Sequence, residues 1–262
     1  MRDMGKRLRM VGVAAVVFAV ILPAASAVAS RYVDLGDSYA SGVGTRTFYS
    51  ESGSCKRSPE AYGPKVAAAK GYTLSFQACS GAKTSDVIAN QLGTLSSSTA
   101  LATISIGGND AGFSNVIINC ALYFWNCGSS INEANNYIAK TLPGVLDTTY
   151  SDIRSRATNA HVVVIGYPHL FTASGATCNF NFLTSSEEKS LNETGDKLDA
   201  AIKARAAAHG FTFVDPRSAF ANHAVCASEE WLNGQSNPLE ESYHPNVKGH
   251  AQFTKEVEAV LP

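Results

Sequence analysis

Five short runs rich in β-branched and aromatic residues alternate along this chain with longer stretches of helical character, and that alternation leaves few folds open. Strands are predicted at Arg31–Leu35, Tyr72–Gln77, Ala100–Ile106, His161–Ile165 and Phe211–Val214. The fourth run is continuously β-branched after its histidine, the pattern of a strand buried on both faces. Helices are predicted over the Ala-rich segment Glu60–Lys70 and over Asn132–Ala157, which Pro143-Gly144 is expected to kink or divide. A capping box at Ser185-x-x-Glu188 opens another helix, which keeps Leu191, Leu198 and Ile202 at helical spacing up to His209-Gly210. Pro245 suits the first turn of a last helix reaching Val260. Strands separated by helices pair in parallel through crossovers, so the expectation is one three-layer α/β/α domain. Reactive groups in such a domain gather beyond the carboxyl ends of the strands.

The first thirty residues carry a different signature. Arg2, Lys6, Arg7 and Arg9 precede the apolar run Met10–Leu22, and small residues follow from Ala24 to Ala29. That order is expected of a secretory signal peptide occupying residues 1–29, cut after Ala27 or Ala29, with the domain in residues 30–262. A transmembrane anchor is the competing reading, but a 13-residue run spans only about 20 Å as a helix, against a hydrocarbon core of roughly 30 Å. Loss of the leader leaves 17 Lys and Arg against 21 Asp and Glu. A mildly acidic chain without a basic cluster is not expected to bind nucleic acid.

The six cysteines, Cys55, Cys79, Cys120, Cys127, Cys178 and Cys226, all follow the leader. An even number in an exported chain points to disulfides, for which 15 pairings exist. The sequential set Cys55–Cys79, Cys120–Cys127 and Cys178–Cys226 is favoured because it staples local loops without threading the chain. Zinc is the alternative, but no C-x-x-C pair and no histidine at ligand spacing supports it. Neither a metal nor an organic cofactor is expected.

Chemistry-bearing residues stand at the predicted strand ends. Gly36-Asp37-Ser38 follows the first strand, Gly81 the second, and Gly108-Asn109-Asp110 the third. His244-Pro245-Asn246 opens the last helix. Each has an ordinary turn or capping explanation by itself. Together they bring a hydroxyl, an imidazole able to take its proton, a backbone N–H freed by glycine and a neutral amide donor to one crevice. G-x-S-x-G and H-E-x-x-H are both absent.

These four blocks, in this order, resemble those of the SGNH (GDSL) hydrolases, and the resemblance extends over Arg31–Leu261. It is nearest to the secreted actinobacterial lipases, esterases and phospholipases of that superfamily, which carry three sequential disulfides. The resemblance implies a flavodoxin-like parallel five-stranded sheet and ester hydrolysis through an acyl-serine. It makes Ser38 the nucleophile and His244 the base, with the Ser38 N–H, the Gly81 N–H and the Asn109 side chain as oxyanion hole. Many members place an aspartate three residues before the histidine, where this chain has Glu241. Some relatives instead orient the imidazole with a main-chain carbonyl two residues before it, here that of Ser242. A Ser38–His244 dyad with the Ser242 carbonyl is the favoured arrangement, and the part of Glu241 stays open.

Apolar residues cluster after Asn109, at Phe113, Val116, Ile117 and Ile118 and at Leu122-Tyr123-Phe124-Trp125. A second group, Phe171, Phe180 and Phe182, flanks Cys178. Either they line an acyl groove or they are core beneath long loops. The substrate expected is a lipid-like ester, with phospholipase A1-type or carbohydrate acetylesterase activity as alternatives. The protein is expected to be a monomer touching lipid surfaces at most transiently. A non-catalytic extracellular binding protein on the same fold is the contrasting class.

Overall fold

The computed structural model describes Met1 and residues 29–122, 127–172 and 183–262. Its centre is a five-stranded, all-parallel sheet of β1 (Arg31–Gly36), β2 (Thr73–Phe76), β3 (Thr99–Ser105), β4 (His161–Ile165) and β5 (Thr212–Val214), in the order β2-β1-β3-β4-β5. All five predicted strands form, with no end shifted by more than one residue. The three central strands are buried almost throughout, in keeping with their apolar runs.

Among the described residues, nine α-helical segments surround the sheet: α1 (Ser38–Ser41), α2 (Tyr62–Lys70), α3 (Thr84–Asp86), α4 (Phe113–Leu122), α5 (Cys127–Lys140), α6 (Leu142–Arg156), α7 (Ser185–Ala208), α8 (Arg217–Phe220) and α9 (Val247–Ala259). Alternation along each strand sends side chains into two separate cores. Tyr32, Leu101, Val163 and Ile165 pack with Val66 of α2 and Phe253 and Val257 of α9. Val33, Leu35, Ala102, Ile104, Val162 and Val164 pack with Leu146, Tyr150 and Ile153 of α6 and Leu198 and Ile202 of α7. The domain is therefore α/β/α in three layers.

Local corrections follow from capping. The predicted helix over 132–157 is two helices, α5 beginning five residues earlier at Cys127 and α6 carrying Pro143 in its first turn. The box that opens α7 is one residue earlier than predicted: the Thr184 hydroxyl accepts the Glu187 N–H, and the Glu187 carboxylate accepts the Thr184 N–H at 2.7 Å. Pro245 precedes α9 instead of lying in its first turn, because the Asn246 side chain caps the helix by accepting the Lys248 and Gly249 N–H groups.

Disulfides join Cys55 to Cys79 and Cys120 to Cys127, as the sequential pairing predicts. Each is expected to contribute about 2–4 kcal/mol by restricting the unfolded chain. Cys178, the partner predicted for Cys226, lies outside the described residues, as do Tyr123, Phe124, Trp125, Phe180, Phe182 and positions 2–28 of the predicted leader.

The chain leaves β1 for β2 on one side and later returns to place β3 on the other. A crevice forms where the order reverses, above the carboxyl ends of β1 and β3.

Candidate active site

The nucleophile candidate stands at that crevice. Asp37 caps α1 by accepting the Tyr39 N–H at 2.9 Å, which makes Ser38 the first residue of a one-turn helix. Gly42 ends the turn in a left-handed conformation. The histidine arrives from the far end of the chain. A 3₁₀ turn at Leu239–Glu241 leads into Ser242, Tyr243 and His244. His244 Nε2 lies 2.7 Å from Ser38 Oγ, and His244 Nδ1 lies 2.9 Å from the Ser242 carbonyl oxygen. Nδ1–H therefore donates to that carbonyl, and Nε2 is left to accept the Ser38 hydroxyl proton.

Two backbone features permit this approach. Tyr243 sits at φ +60°, turning the Ser242 carbonyl under the ring two residues later. A Cβ on Gly44 would lie inside contact distance of the His244 and Pro245 carbonyl oxygens, so only glycine lets the two loops touch. Asn233 ties them together. Its N–H donates to the His244 carbonyl at 2.9 Å, and its Nδ2 donates to the Gly44 carbonyl at 2.8 Å.

Glu241 is turned elsewhere. Its carboxylate meets Arg46 Nε at 2.9 Å, and the neighbouring Glu240 pairs with Lys56, so both acids clasp the histidine loop to the segment after Ser38. The structure thus brings Ser38, His244 and the Ser242 carbonyl into one chain of contacts and leaves the Glu241 carboxylate on Arg46.

The remaining candidates border the same cleft of about 420 Å³. Gly81 has φ +79° with open space where a side chain would project, so backbone conformation rather than crowding calls for glycine there. Among the described residues neither the Ser38 N–H nor the Gly81 N–H has an acceptor. Asn109 Nδ2 donates to the Ala82 carbonyl at 3.1 Å, which turns its amide donor side toward the Gly81 turn and leaves a second N–H. Phe113, Ile117 and Ile118 of α4 line the cleft with Leu170, Leu191 and Leu198. Val116 and Phe171, also expected in the groove, lie in the core instead. Val116 falls on the inner side of α4, and Phe171 packs edge-on against Tyr243 with ring centroids 5.8 Å apart.

Electrostatics follow from burial. Desolvation pushes His244 down to about 4, against the opposing pull of the Ser242 carbonyl. Asp37 is pushed up to about 7 by burial, which outweighs its hydrogen bonds from Tyr167 and Tyr39. Tyr39, Tyr167, Arg46 and Asn233 escaped the sequence reading. The segment Gly166-Tyr167-Pro168 follows β4 much as Gly107-Gly108 follows β3, and that position was the available signal for Tyr167. Among the described residues no group of three or more His, Cys, Asp or Glu is arranged to hold a metal ion.

Residues 35–252 match the model of the GDSL-like Lipase/Acylhydrolase family. The chain belongs to that family. It is 47% identical over 228 residues to Lipase 1 of Streptomyces coelicolor, covering 86% of this chain and 84% of the relative. The crystal structure of the extracellular lipase from Streptomyces rimosus superposes with a TM-score of 0.86 at 42% identity, covering 89% of this chain and 100% of that one. The crystal structure of phospholipase A1 from Streptomyces albidoflavus NA297 gives the same TM-score and coverage at 41% identity. This member of the GDSL-like family is an ester hydrolase with the SGNH hydrolase fold.

Proposed function

We propose that the protein is a secreted serine hydrolase of lipid-like acyl esters. The observation that carries this reading is the 2.7 Å contact between Ser38 Oγ and His244 Nε2 beside an apolar-walled cleft. His244 takes the Ser38 proton as Oγ attacks the ester carbonyl, and the Ser242 carbonyl stabilises the imidazolium that forms. The carbonyl oxygen becomes an oxyanion facing the Ser38 N–H, the Gly81 N–H and the Asn109 amide. Collapse expels the alcohol, protonated by His244, and leaves an acyl-serine. Water, deprotonated by His244, then releases the acid and restores Ser38.

The apolar wall of Phe113, Ile117, Ile118, Leu191 and Leu198 favours a medium or long acyl chain over the acetyl group of an acetylated sugar. Likeness to phospholipase A1 of Streptomyces albidoflavus adds sn-1 phospholipid esters to the substrates. Residues 1–29 act as the export signal and residues 30–262 as one monomeric domain that touches lipid surfaces only transiently. Assaying the mature protein on triacylglycerol, on phospholipid labelled at sn-1 or sn-2, and on acetylated xylan, with Ser38→Ala as blank, tests the proposal. Preference for the acetylated polymer overturns the substrate class. Failure of a fluorophosphonate to label Ser38 overturns catalysis by this serine.

A further inference from the structure

Tyr167 follows β4 on the short segment that also lines the cleft. Its main chain is anchored, with the N–H donating to Asp199 Oδ1 at 2.9 Å. Its hydroxyl joins two loops that come from different strands. It donates to Asp37 Oδ2 at 2.5 Å and accepts the Gly108 N–H at 3.2 Å. Asp37 immediately precedes Ser38, and Gly108 immediately precedes Asn109. The ring lies 3.3–3.4 Å from where a Cβ on Gly108 would stand, so the glycine lets the phenol lie against the backbone. Its other side meets Tyr39 edge-on at 5.0 Å, and Tyr39 in turn packs 5.1 Å from the His244 ring.

One buried hydroxyl thus bridges the residue before the nucleophile and the residue before the amide donor. A side chain that only filled space would not need that hydroxyl, since phenylalanine has the same ring. Without it, Asp37 loses a donor and the Gly108 N–H loses its acceptor, both inside the fold. We propose that Tyr167 is a positioning residue for ester hydrolysis, setting the distance from Ser38 to the Asn109 oxyanion donor through Asp37 and Gly108. The proposal rests on the reading of Ser38 and Asn109 given above. The oxyanion exists only once Oγ has attacked, so slackening this bridge weakens transition-state binding and leaves ground-state binding alone.

The test is Tyr167→Phe, assayed per active site counted by complete fluorophosphonate labelling. The expected result is a fall in kcat of roughly 10–100-fold with KM within about twofold. Affinity for a trifluoromethyl ketone, which forms a tetrahedral adduct, falls by the same factor, while affinity for the fatty-acid product holds. Unchanged kcat per labelled site, or a rise in KM alone, overturns the proposal and leaves Tyr167 a packing residue. Should Tyr167→Phe not fold, Asp37→Asn retains the cap to Tyr39 and removes the carboxylate that Tyr167 grips. It must show the same loss of kcat at constant KM, and a loss confined to KM overturns the proposal. Persistent activity in Ser38→Ala would instead remove the underlying reading, whatever the Tyr167 variant does.

Discussion

The Ser242 carbonyl accepts from His244 Nδ1 at 2.9 Å, while the Glu241 carboxylate one residue earlier is held by Arg46 at the same distance. The acceptor that sets the imidazole tautomer is therefore part of the main chain, which no side-chain substitution at position 242 removes. Glu241→Gln is expected to lower kcat/KM by less than about threefold, whereas His244→Ala should lower it by on the order of 10³-fold or more. Steady-state rates on a p-nitrophenyl ester measure both. A Gln variant as impaired as the Ala variant would assign the carboxylate a direct part.

Gly44 stands where the loop after Ser38 packs against the backbone of His244 and Pro245. A methyl group there would press on the His244 and Pro245 carbonyls and shift the imidazole away from Ser38. Gly44→Ala should reduce kcat by about 10–100-fold, the usual consequence of misplacing a catalytic group by an ångström. Folding is checked by circular dichroism, and a variant with native activity would show that the loop yields without moving His244.

The low pKa of His244 makes a distinct pH profile. Desolvation lowers it from 6.5 to about 4, so raising pH through 4 converts imidazolium to the basic imidazole and activity rises there. At pH 5 an unshifted imidazole would be only about 3% neutral, whereas this one is mostly neutral. The acid limb of kcat/KM should fall near pH 4, recorded by pH-stat titration of released acid. A limb near 6.5 would contradict the desolvated environment. For folding, the sign is the same: neutral burial of His244 supports the native state above 6.5, and that support is lost as pH falls towards 4.

Acyl-chain preference is expected to lie in α4. Ile117→Trp would fill the cleft beside Phe113 and Ile118. It should lower kcat/KM for esters of twelve or more carbons by roughly tenfold while leaving butyrate hydrolysis nearly intact. A series of p-nitrophenyl esters from acetate upward makes the measurement. Equal losses across the series would place the acyl chain elsewhere.

Alternation of buried β-branched runs with helical spacing was enough to determine the five strands and the layered class, because both periodicities are local properties of the chain. Ser38, Gly81, Asn109 and His244 were legible as candidates for the same reason: each follows a strand or precedes a helix and belongs to a compact block. Tertiary structure decided the rest. The Glu241 carboxylate reaches across to Arg46 while the Ser242 carbonyl meets His244, and both Tyr167 contacts join residues at least 59 positions apart. Such pairings leave no periodic trace, since their geometry arises only when the strand ends are brought side by side.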